Sequence, residues 1–264
     1  MLNRIIAFSN QKGGVGKTTS CVNMAAALVA AQYKVLLVDL DPQGNATSGS
    51  GIEKNRIELS INEVLQGEVD IQDAIVKKTP SGFSVLPANS DLTAAEIFLL
   101  RKPEQEQNLK KALHAIRVNY DFIVIDCPPS LNMLTLNALV ASNSVIIPMQ
   151  CEYYALEGLT ALMGTIEQLQ KSLNPALEIE GIVRTMYDPR NRLSTEISAQ
   201  LVSHFGNKVY QTVIPRNIRL AEAPSHGMPV LLYDKGSKGS EAYLSLAREF
   251  LKNTTKLSLL EGVE

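Results

Sequence analysis

The stretch Asn10-Gln-Lys-Gly-Gly-Val-Gly-Lys-Thr-Thr19 decides the fold, because it joins an apolar run at residues 5–8 to a helical pattern at residues 19–31. Its ending, residues 16–18, fits the pattern G-x-x-x-x-G-K-[S/T]. In that pattern glycines let backbone N–H groups face phosphate oxygens, the lysine spans the terminal phosphates and the hydroxyl binds Mg²⁺. The motif requires the order strand, loop and helix, which this sequence has. The sequence therefore predicts a phosphate-binding loop.

The loop departs from the ordinary pattern at two positions. Gln11 replaces the first glycine, and a second lysine, Lys12, follows it. The ordinary loop has no need of this lysine, so Lys12 requires an explanation of its own. A solvated surface charge is the alternative to a functional role.

Length and composition favour one large α/β domain over residues 1–264, with two domains as an alternative. The chain is 45% hydrophobic, which suits a soluble globular protein with a buried core. It has neither an apolar run of roughly 18 residues nor the residue pattern of a signal peptide, so we expect a cytoplasmic protein without a membrane partner. Cys21, Cys127 and Cys151 lie far apart and are interpreted as reduced structural thiols.

The charges are unevenly distributed along the chain. Residues 1–180 carry 14 Lys and Arg against 19 Asp and Glu, whereas residues 181–264 carry 11 against 8. The C-terminal third is therefore basic. This surplus alone is a weak indication of a nucleic-acid partner.

Short apolar runs alternate with helical patterns along the chain. Runs that are nearly continuous in Val, Ile and Leu are typical of strands buried on both faces. The alternation predicts a mostly parallel, twisted sheet flanked by helices on both faces. The predicted strands are residues 5–8, 35–39, 83–87, 122–126, 145–149, 179–183 and 209–214, and the crossover helices include residues 19–31, 132–141, 156–173 and 194–205. Residues 49–80 and 88–118 show the least pattern. The second segment is predicted to be helical and polar, and the two segments are predicted to form a peripheral face.

The second predicted strand ends in two carboxylates two residues apart, in Val38-Asp-Leu-Asp-Pro-Gln-Gly-Asn45. Ligands of open α/β sheets bind beyond the carboxyl ends of the strands, where the phosphate loop also lies. Because side chains two residues apart share one side of an extended chain, Asp39 and Asp41 are predicted to face a terminal phosphate and its metal. Helix capping is the alternative for either residue alone.

A third carboxylate ends the run Ile123-Val-Ile-Asp126, which is followed by Cys-Pro-Pro-Ser130. Such a strand resembles the Walker B strand, whose carboxylate serves the metal shell. The two prolines cannot continue a strand ladder, so the chain must leave the sheet there. Capping of a helix near Asn132 is the alternative role for Asp126.

Together these motifs resemble the deviant Walker A class of P-loop ATPases, and specifically the ParA/Soj partition ATPases. The resemblance covers nearly the whole chain, and two of its segments are more specific than the phosphate loop, namely Gln150-Cys-Glu-Tyr-Tyr-Ala-Leu-Glu-Gly158 and residues 214–227. It implies a weak ATPase that uses ATP and Mg²⁺. It also implies a homodimer when ATP is bound.

The resemblance implies a role for each candidate residue. Lys12 would reach across the dimer to the partner's phosphates. Asp41 would position the hydrolytic water. The remaining assignments are Lys17 for the β- and γ-phosphates; Thr18, Asp39 and Asp126 for Mg²⁺ and its water shell; Lys12, Gly13, Gly14, Val15, Gly16, Lys17, Thr18 and Thr19 for the phosphate loop; and Met186, Pro215, Arg216 and Asn217 for the base.

The resemblance also implies partners. The ATP dimer would bind double-stranded DNA without sequence preference, through Arg190 and Arg219, helped by Arg216, Lys235 and Lys238. A ParB-type centromere-binding protein would stimulate hydrolysis, so the protein would be associated with the nucleoid. For each arginine a surface ion pair is the alternative. The phosphate loop begins within ten residues of Met1, so we expect no N-terminal helix-turn-helix extension and no operator repression.

Two other functions share this nucleotide chemistry. A MinD-like ATPase would act at a membrane surface through a C-terminal amphipathic helix, and residues 246–260 have a helical pattern. Against this, Phe250, Leu251, Leu257, Leu259 and Leu260 are explained equally well by a helix that packs on the core. A ParA-like ATPase that positions a protein cargo on the nucleoid is the other alternative.

Overall fold

A computed structural model of the chain describes residues 3–77, 79–101 and 104–261, with side chains up to residue 254. Its strands form one parallel sheet in the order β3-β2-β4-β1-β5-β6-β7. The predicted fold class is therefore confirmed. The strands are β1 (Arg4–Phe8), β2 (Val35–Asp39), β3 (Ser84–Leu86), β4 (Phe122–Asp126), β5 (Ser144–Gln150), β6 (Glu178–Tyr187) and β7 (Val209–Pro215).

Helices cover both faces of this sheet. The four predicted crossover helices are confirmed, with ends that differ by at most two residues. The helices are α1 (Lys17–Ala30), α2 (Asn45–Gly49), α3 (Ile61–Gln66), α4 (Ile71–Ala74), α5 (Leu92–Leu99), α6 (Asn108–Ile116), α7 (Met133–Ala141), α8 (Ala155–Ser172), α9 (Arg192–Phe205), α10 (Ile218–Glu222), α11 (Val230–Tyr233) and α12 (Lys238–Glu261), with short 3₁₀ turns at Lys54–Arg56, Gln105–Gln107, Arg117–Asn119, Gly206–Lys208 and Ala223–His226.

Each face of the sheet carries its own apolar core. On one face, α1 and α12 bury residues such as Met24, Leu28 and Phe250 against the strands. On the other face, the segment 88–118 contributes Leu92 and Leu113, both fully buried. The prediction that this segment is helical is confirmed in its described part. The prediction that it is polar holds only for its exposed side, because an apolar side packs on the core. The apolar residues of this segment can be recognised as core residues only when α5 and α6 are packed in the fold.

The C-terminal helix α12 packs on the core in its described part. Tyr243, Leu246 and Phe250 are buried, and Leu251 packs against them. The alternative of a packing helix therefore explains this part of the segment. The side chains of Leu257, Leu259 and Leu260 lie outside the described residues. No helix within the described ranges is long and apolar enough to cross a bilayer.

The register of the central strands brings the three sequence motifs to one level. Phe8, where β1 ends, pairs with Asp126 of β4, and Asp126 pairs with Asp39 of β2. Because the strands are parallel, the phosphate loop and both carboxylates emerge at the same carboxyl edge. This edge is the place where open α/β sheets bind their ligands.

Candidate nucleotide site

The phosphate loop turns sharply between β1 and α1. Gly14 and Gly16 adopt left-handed backbone conformations, with φ of 74° and 83°, which glycine adopts without steric cost. Gly16 is also the N-cap of α1, and none of the described side chains caps the helix there. The first N–H groups of α1 are therefore free of a side-chain partner at the positive end of the helix dipole, which suits a phosphate anion.

Two residues that sequence reasoning missed hold this loop in place. Asn10 donates a hydrogen bond from Nδ2 to the carbonyl of Pro148 (2.8 Å) and accepts one from the N–H of Lys12 (3.0 Å). Thr185 of β6 donates from Oγ1 to the carbonyl of Val15 (2.8 Å). Asn10 stands directly before the loop, which is a local signal. Thr185 lies 170 residues after Val15 in the chain and gives no local signal.

The two lysines of the loop occupy different environments. Lys17 is buried, and its Nζ donates to the carbonyl oxygen of Lys12 (3.0 Å) inside the loop. Burial lowers the pKa of Lys17, although the nearby carboxylate of Asp126 opposes this shift. Lys12 turns outward instead, and its Nζ lies 2.5 Å from Oε2 of Glu152, with both side chains about half exposed. Lys17 thus points into the loop, and Lys12 points away from it.

Asp126 is a buried carboxylate, and among the described residues neither of its oxygens accepts a hydrogen bond of good geometry. Burial raises its pKa well above the usual value, and the charge of Asp39 adds to the rise. The side chain of Thr18 is close enough to oppose this rise. The capping alternative for Asp126 is wrong, because α7 is capped by Asn132.

An unpaired buried carboxylate beside a hydroxyl fits a bound cation, because a cation offsets the free energy of burying the charge. Thr18 and Asp126 therefore fit the predicted Mg²⁺ site. Hydrated Mg²⁺ is commonly held by few protein ligands together with substrate phosphates. Within the described residues, three or more His, Cys, Asp or Glu side chains nowhere converge on a common metal position.

Asp39 and Asp41 differ in their surroundings. Asp39 is fully buried, and its two oxygens accept hydrogen bonds from the N–H of Asp41 (3.1 Å) and from the N–H and hydroxyl of Thr47 (both 2.8 Å). Burial raises its pKa to about 6, and these hydrogen bonds oppose the rise. Asp39 thus fixes the start of α2, whose N-cap is Gly44. Its role at the metal stays a prediction.

Asp41 lies beyond the end of β2 and begins a turn that Gly44 closes with an N–H···O bond of 2.8 Å. Its Oδ1 accepts a hydrogen bond from the N–H of Gln43 (2.9 Å), and its side chain is half-buried. Its charge affects the pKa values of Lys17 and Asp126. Asp41 therefore lies near the phosphate loop, and its role in positioning the water stays a prediction.

A cavity of about 240 Å³ lies beside the loop. It brings together the four residues predicted to surround the base, and Gln150 donates a hydrogen bond from Nε2 to the sulfur of Met186 (2.7 Å). Met186 has a left-handed backbone (φ 48°), which is uncommon for a side chain of this kind. The lining residues are Gly16, Thr19, Thr185, Met186, Ile214, Pro215, Arg216, Asn217, Leu220, Ala221 and Tyr243.

The predicted DNA-binding cations lie after β6 and β7 and near α12. Arg190 follows β6 and forms a two-pronged ion pair with Asp188 (2.9 and 2.8 Å). Arg219 of α10 pairs with Glu222 (2.8 Å) and Asp234 (3.2 Å). Each arginine thus has the surface ion pair that was the alternative to a DNA contact, and each remains accessible. Arg216, Lys235 and Lys238 are exposed.

Comparison with known proteins identifies the family. A family model described as an AAA domain matches residues 3–179. The sporulation initiation inhibitor protein Soj of Bacillus subtilis is 53% identical over 252 residues, which are 96% of this chain and 100% of that protein. The chromosome partitioning protein ParA of Caulobacter vibrioides (strain NA1000 / CB15N) is 52% identical over 94% of both chains. This chain belongs to the ParA/Soj family of chromosome-partitioning ATPases.

Solved structures share the fold of this ParA/Soj chain. A cobyrinic acid a,c-diamide synthase from Mycobacterium smegmatis, with bound ATP analogue and magnesium, is 38% identical with a TM-score of 0.83 and covers 94% of both chains. The cell division ATPase MinD of Pyrococcus furiosus is 26% identical with a TM-score of 0.79, covering 95% of this chain and 99% of that one. The ParA/Soj chain is thus a P-loop ATPase.

Proposed function

We propose that this ATPase segregates DNA by cycling between two states. In the first state an ATP-bound homodimer binds double-stranded DNA without sequence preference. In the second state, reached when a ParB-type partner stimulates hydrolysis, the ADP-bound chain releases the DNA. The observation that carries this proposal is the opposite placement of the two loop lysines, Lys17 turned into the loop and Lys12 turned out of it.

The residues of the site suit phosphoryl transfer from ATP to water. This reaction needs charge neutralisation and alignment of the attacking water more than covalent help from the protein. Lys17 and the N–H groups at the start of α1 hold the terminal phosphates, and Asp41 orients the water. Thr18 and Asp126 hold Mg²⁺, which when bound supplies further positive charge at the phosphates.

Dimerisation follows from the outward lysine. A cation that leaves its own loop and is half exposed is available to a second protein chain. In a two-fold symmetric dimer each Lys12 lies opposite the nucleotide of the partner, so both sites gain a cation at once. Because Lys12 adds charge to a phosphate cluster that only ATP completes, dimerisation depends on ATP.

DNA binding rests on cations near the ends of β6 and β7. Phosphate contacts by Lys and Arg give affinity that does not depend on sequence and falls with salt. A single chain offers few such cations, and a dimer doubles them within one rigid unit, which raises the affinity steeply. The intramolecular partners Asp188 and Glu222 compete with DNA phosphates for Arg190 and Arg219. This competition keeps the affinity of the monomer low.

The proposal is tested by equilibrium binding to a DNA fragment of arbitrary sequence, measured with Mg²⁺ in ATP and in ADP at low and moderate salt. We expect salt-sensitive binding in ATP and little in ADP. Lys17→Ala is the control, because it should abolish nucleotide binding and with it any difference between the two nucleotides. Absence of DNA binding in both nucleotides, together with ATP-dependent binding to anionic lipid vesicles, would overturn the proposal in favour of a MinD-like function.

A further inference from the structure

The C-terminal helix α12 approaches the cavity beside the phosphate loop through a glycine. Gly239 lies in the first turn of α12, and a Cβ atom placed on it would be 2.7 Å from Cγ of Leu220 and 3.0 and 3.1 Å from the two methyl carbons of that side chain. Carbon atoms that are not bonded to each other pack at about 3.5–4.0 Å. A side chain at position 239 is therefore incompatible with the observed position of Leu220.

The conformation of the helix does not require this glycine. Gly239 does not have the left-handed backbone conformation that favours glycine over other residues. Glycine is also a poor helix former, since only proline is less favourable within a helix. An alanine at position 239 would therefore suit the helix better. The close approach of Leu220 is the feature that explains the missing side chain.

Leu220 lies between this glycine and the cavity. It is 8% exposed and is one of the residues that line the cavity. The lining also includes Tyr243, which follows Gly239 by four residues and so lies on the same face of α12. The hydroxyl of Tyr243 is 3.0 Å from Oγ of Ser20 in α1, which holds this face of α12 against the helix that follows the phosphate loop. Helix α12 thus supports one wall of the cavity, directly through Tyr243 and indirectly through Leu220.

We infer that Gly239 is a positioning residue for the base of ATP, because it leaves Leu220 room to lie back against α12. The inference rests on the assignment of this cavity to the base. A methyl group at position 239 would displace Leu220. Since Leu220 otherwise packs in an apolar core, the cavity of about 240 Å³ is the space into which it can move. The displaced side chain would then occupy part of the volume that the base needs.

The test compares Gly239→Ala with wild type in the binding of two ligands, ATP and inorganic triphosphate, each measured with Mg²⁺ by isothermal titration calorimetry. Both ligands offer phosphates to the phosphate loop, but only ATP has a base. We expect the dissociation constant for ATP to rise about tenfold, on the order of the penalty for overpacking a well-packed site. The dissociation constant for inorganic triphosphate should not change. A general loss of folded protein would instead reduce the binding of both ligands.

Two further variants make the outcome specific. Gly164→Ala is the matched control, because Gly164 is also a helical glycine, in α8, and a Cβ atom there would lie in open space among the described residues. It should bind both ligands like wild type. The double variant Gly239→Ala/Leu220→Ala removes the carbons that the new Cβ would meet, so it should bind ATP more tightly than Gly239→Ala does. If the double variant does not fold, Gly239→Val replaces it, and its larger side chain should weaken ATP binding more than alanine does.

Photolabelling of wild type with 2-azido-ATP locates the base independently of these variants. We expect the label in peptides that line the cavity, and a label elsewhere would overturn the assignment of the base and the inference together. A label at the cavity combined with equal ATP affinity of Gly239→Ala and wild type would overturn the inference alone. Equal losses for ATP and inorganic triphosphate, or a double variant that recovers no ATP affinity, would also overturn it, because the effect would then not pass through Leu220 and the base.

Discussion

Nζ of Lys12 lies 2.5 Å from Oε2 of Glu152, so the outward lysine of the phosphate loop is paired within its own chain. In the proposed dimer this pair must open, because Lys12 then contacts the partner's phosphates. Glu152→Gln removes the competing charge and should favour dimerisation in ATP. Exposed ion pairs contribute about 0.2–1 kcal/mol, and two open in each dimer, so we expect the dissociation constant to fall by about two- to thirty-fold. Sedimentation equilibrium in ATP and Mg²⁺ measures it.

Glu157→Gln is the matched control for this prediction. Glu157 lies in the first turn of α8, is exposed and carries the same charge, while the ion-pair partner of Lys12 is Glu152. It should change the dissociation constant much less. Weaker dimerisation of Glu152→Gln than of wild type would contradict the prediction and would indicate that Glu152 itself contacts the partner.

Asp126→Asn should have opposite effects on stability and on metal binding. The wild-type carboxylate is buried, with no hydrogen-bond partner of good geometry in the part of the chain that the structure describes, and burying such a charge is unfavourable. The neutral amide should raise the free energy of unfolding of the nucleotide-free protein at pH 8, measured in urea. In the presence of ATP, adding Mg²⁺ should raise the melting temperature of the wild type above its value without Mg²⁺. The variant should lack this rise. A variant that retains this Mg²⁺-dependent rise would contradict the assignment of Asp126 to the metal site.

The sequence predicted the sheet, the phosphate loop and the three carboxylate positions, because each depends on a local pattern of apolar, glycine and acidic residues. It did not predict contacts that form only when distant segments meet. Thr185 binds the loop from β6, and Glu152 pairs with Lys12 from the end of β5. The capping alternative for Asp126 was decided by Asn132, whose side chain accepts the hydrogen bond from the N–H of Thr135. The sequence allowed Asp126 to serve either the metal shell or as a helix cap, and only the geometry of the loop distinguishes these two roles.

Protonation of Glu63 should account for part of the stability that the fold loses at acid pH. It forms a capping box with Ser60 at the start of α3. Burial raises its pKa, but hydrogen bonds from the side chain of Asn62 and from Ser60 outweigh burial and lower the pKa below its usual 4.5. Because the folded chain releases this proton at lower pH than the unfolded chain, the stabilisation is present above pH 4.5 and is lost as the pH falls through the folded value.

Glu63→Gln keeps one oxygen that can accept the hydrogen bonds from Ser60, loses the bond that Asn62 donates to the other oxygen, and does not titrate. Its free energy of unfolding should therefore decrease less steeply than that of wild type as the pH falls from 5 to 3, when both are measured in urea. Glu68→Gln, at an exposed position nearby, is the control and should follow the wild-type curve. Parallel curves for Glu63→Gln and wild type would show that the capping box does not contribute to acid sensitivity.

Arg190 offers the sharpest test of the DNA-binding surface, because its ion pair with Asp188 competes with DNA for the same guanidinium. Arg190→Ala should weaken binding to all sequences alike and make the slope of log K against log salt shallower by about 1.8 per dimer, since each phosphate contact contributes about 0.9. Asp188→Asn should tighten binding. Arg192→Ala, two residues away in an exposed ion pair with Glu196, is the control. An unchanged slope in Arg190→Ala, or dimerisation lost together with DNA binding, would show that Arg190 serves its ion pair or the dimer rather than DNA.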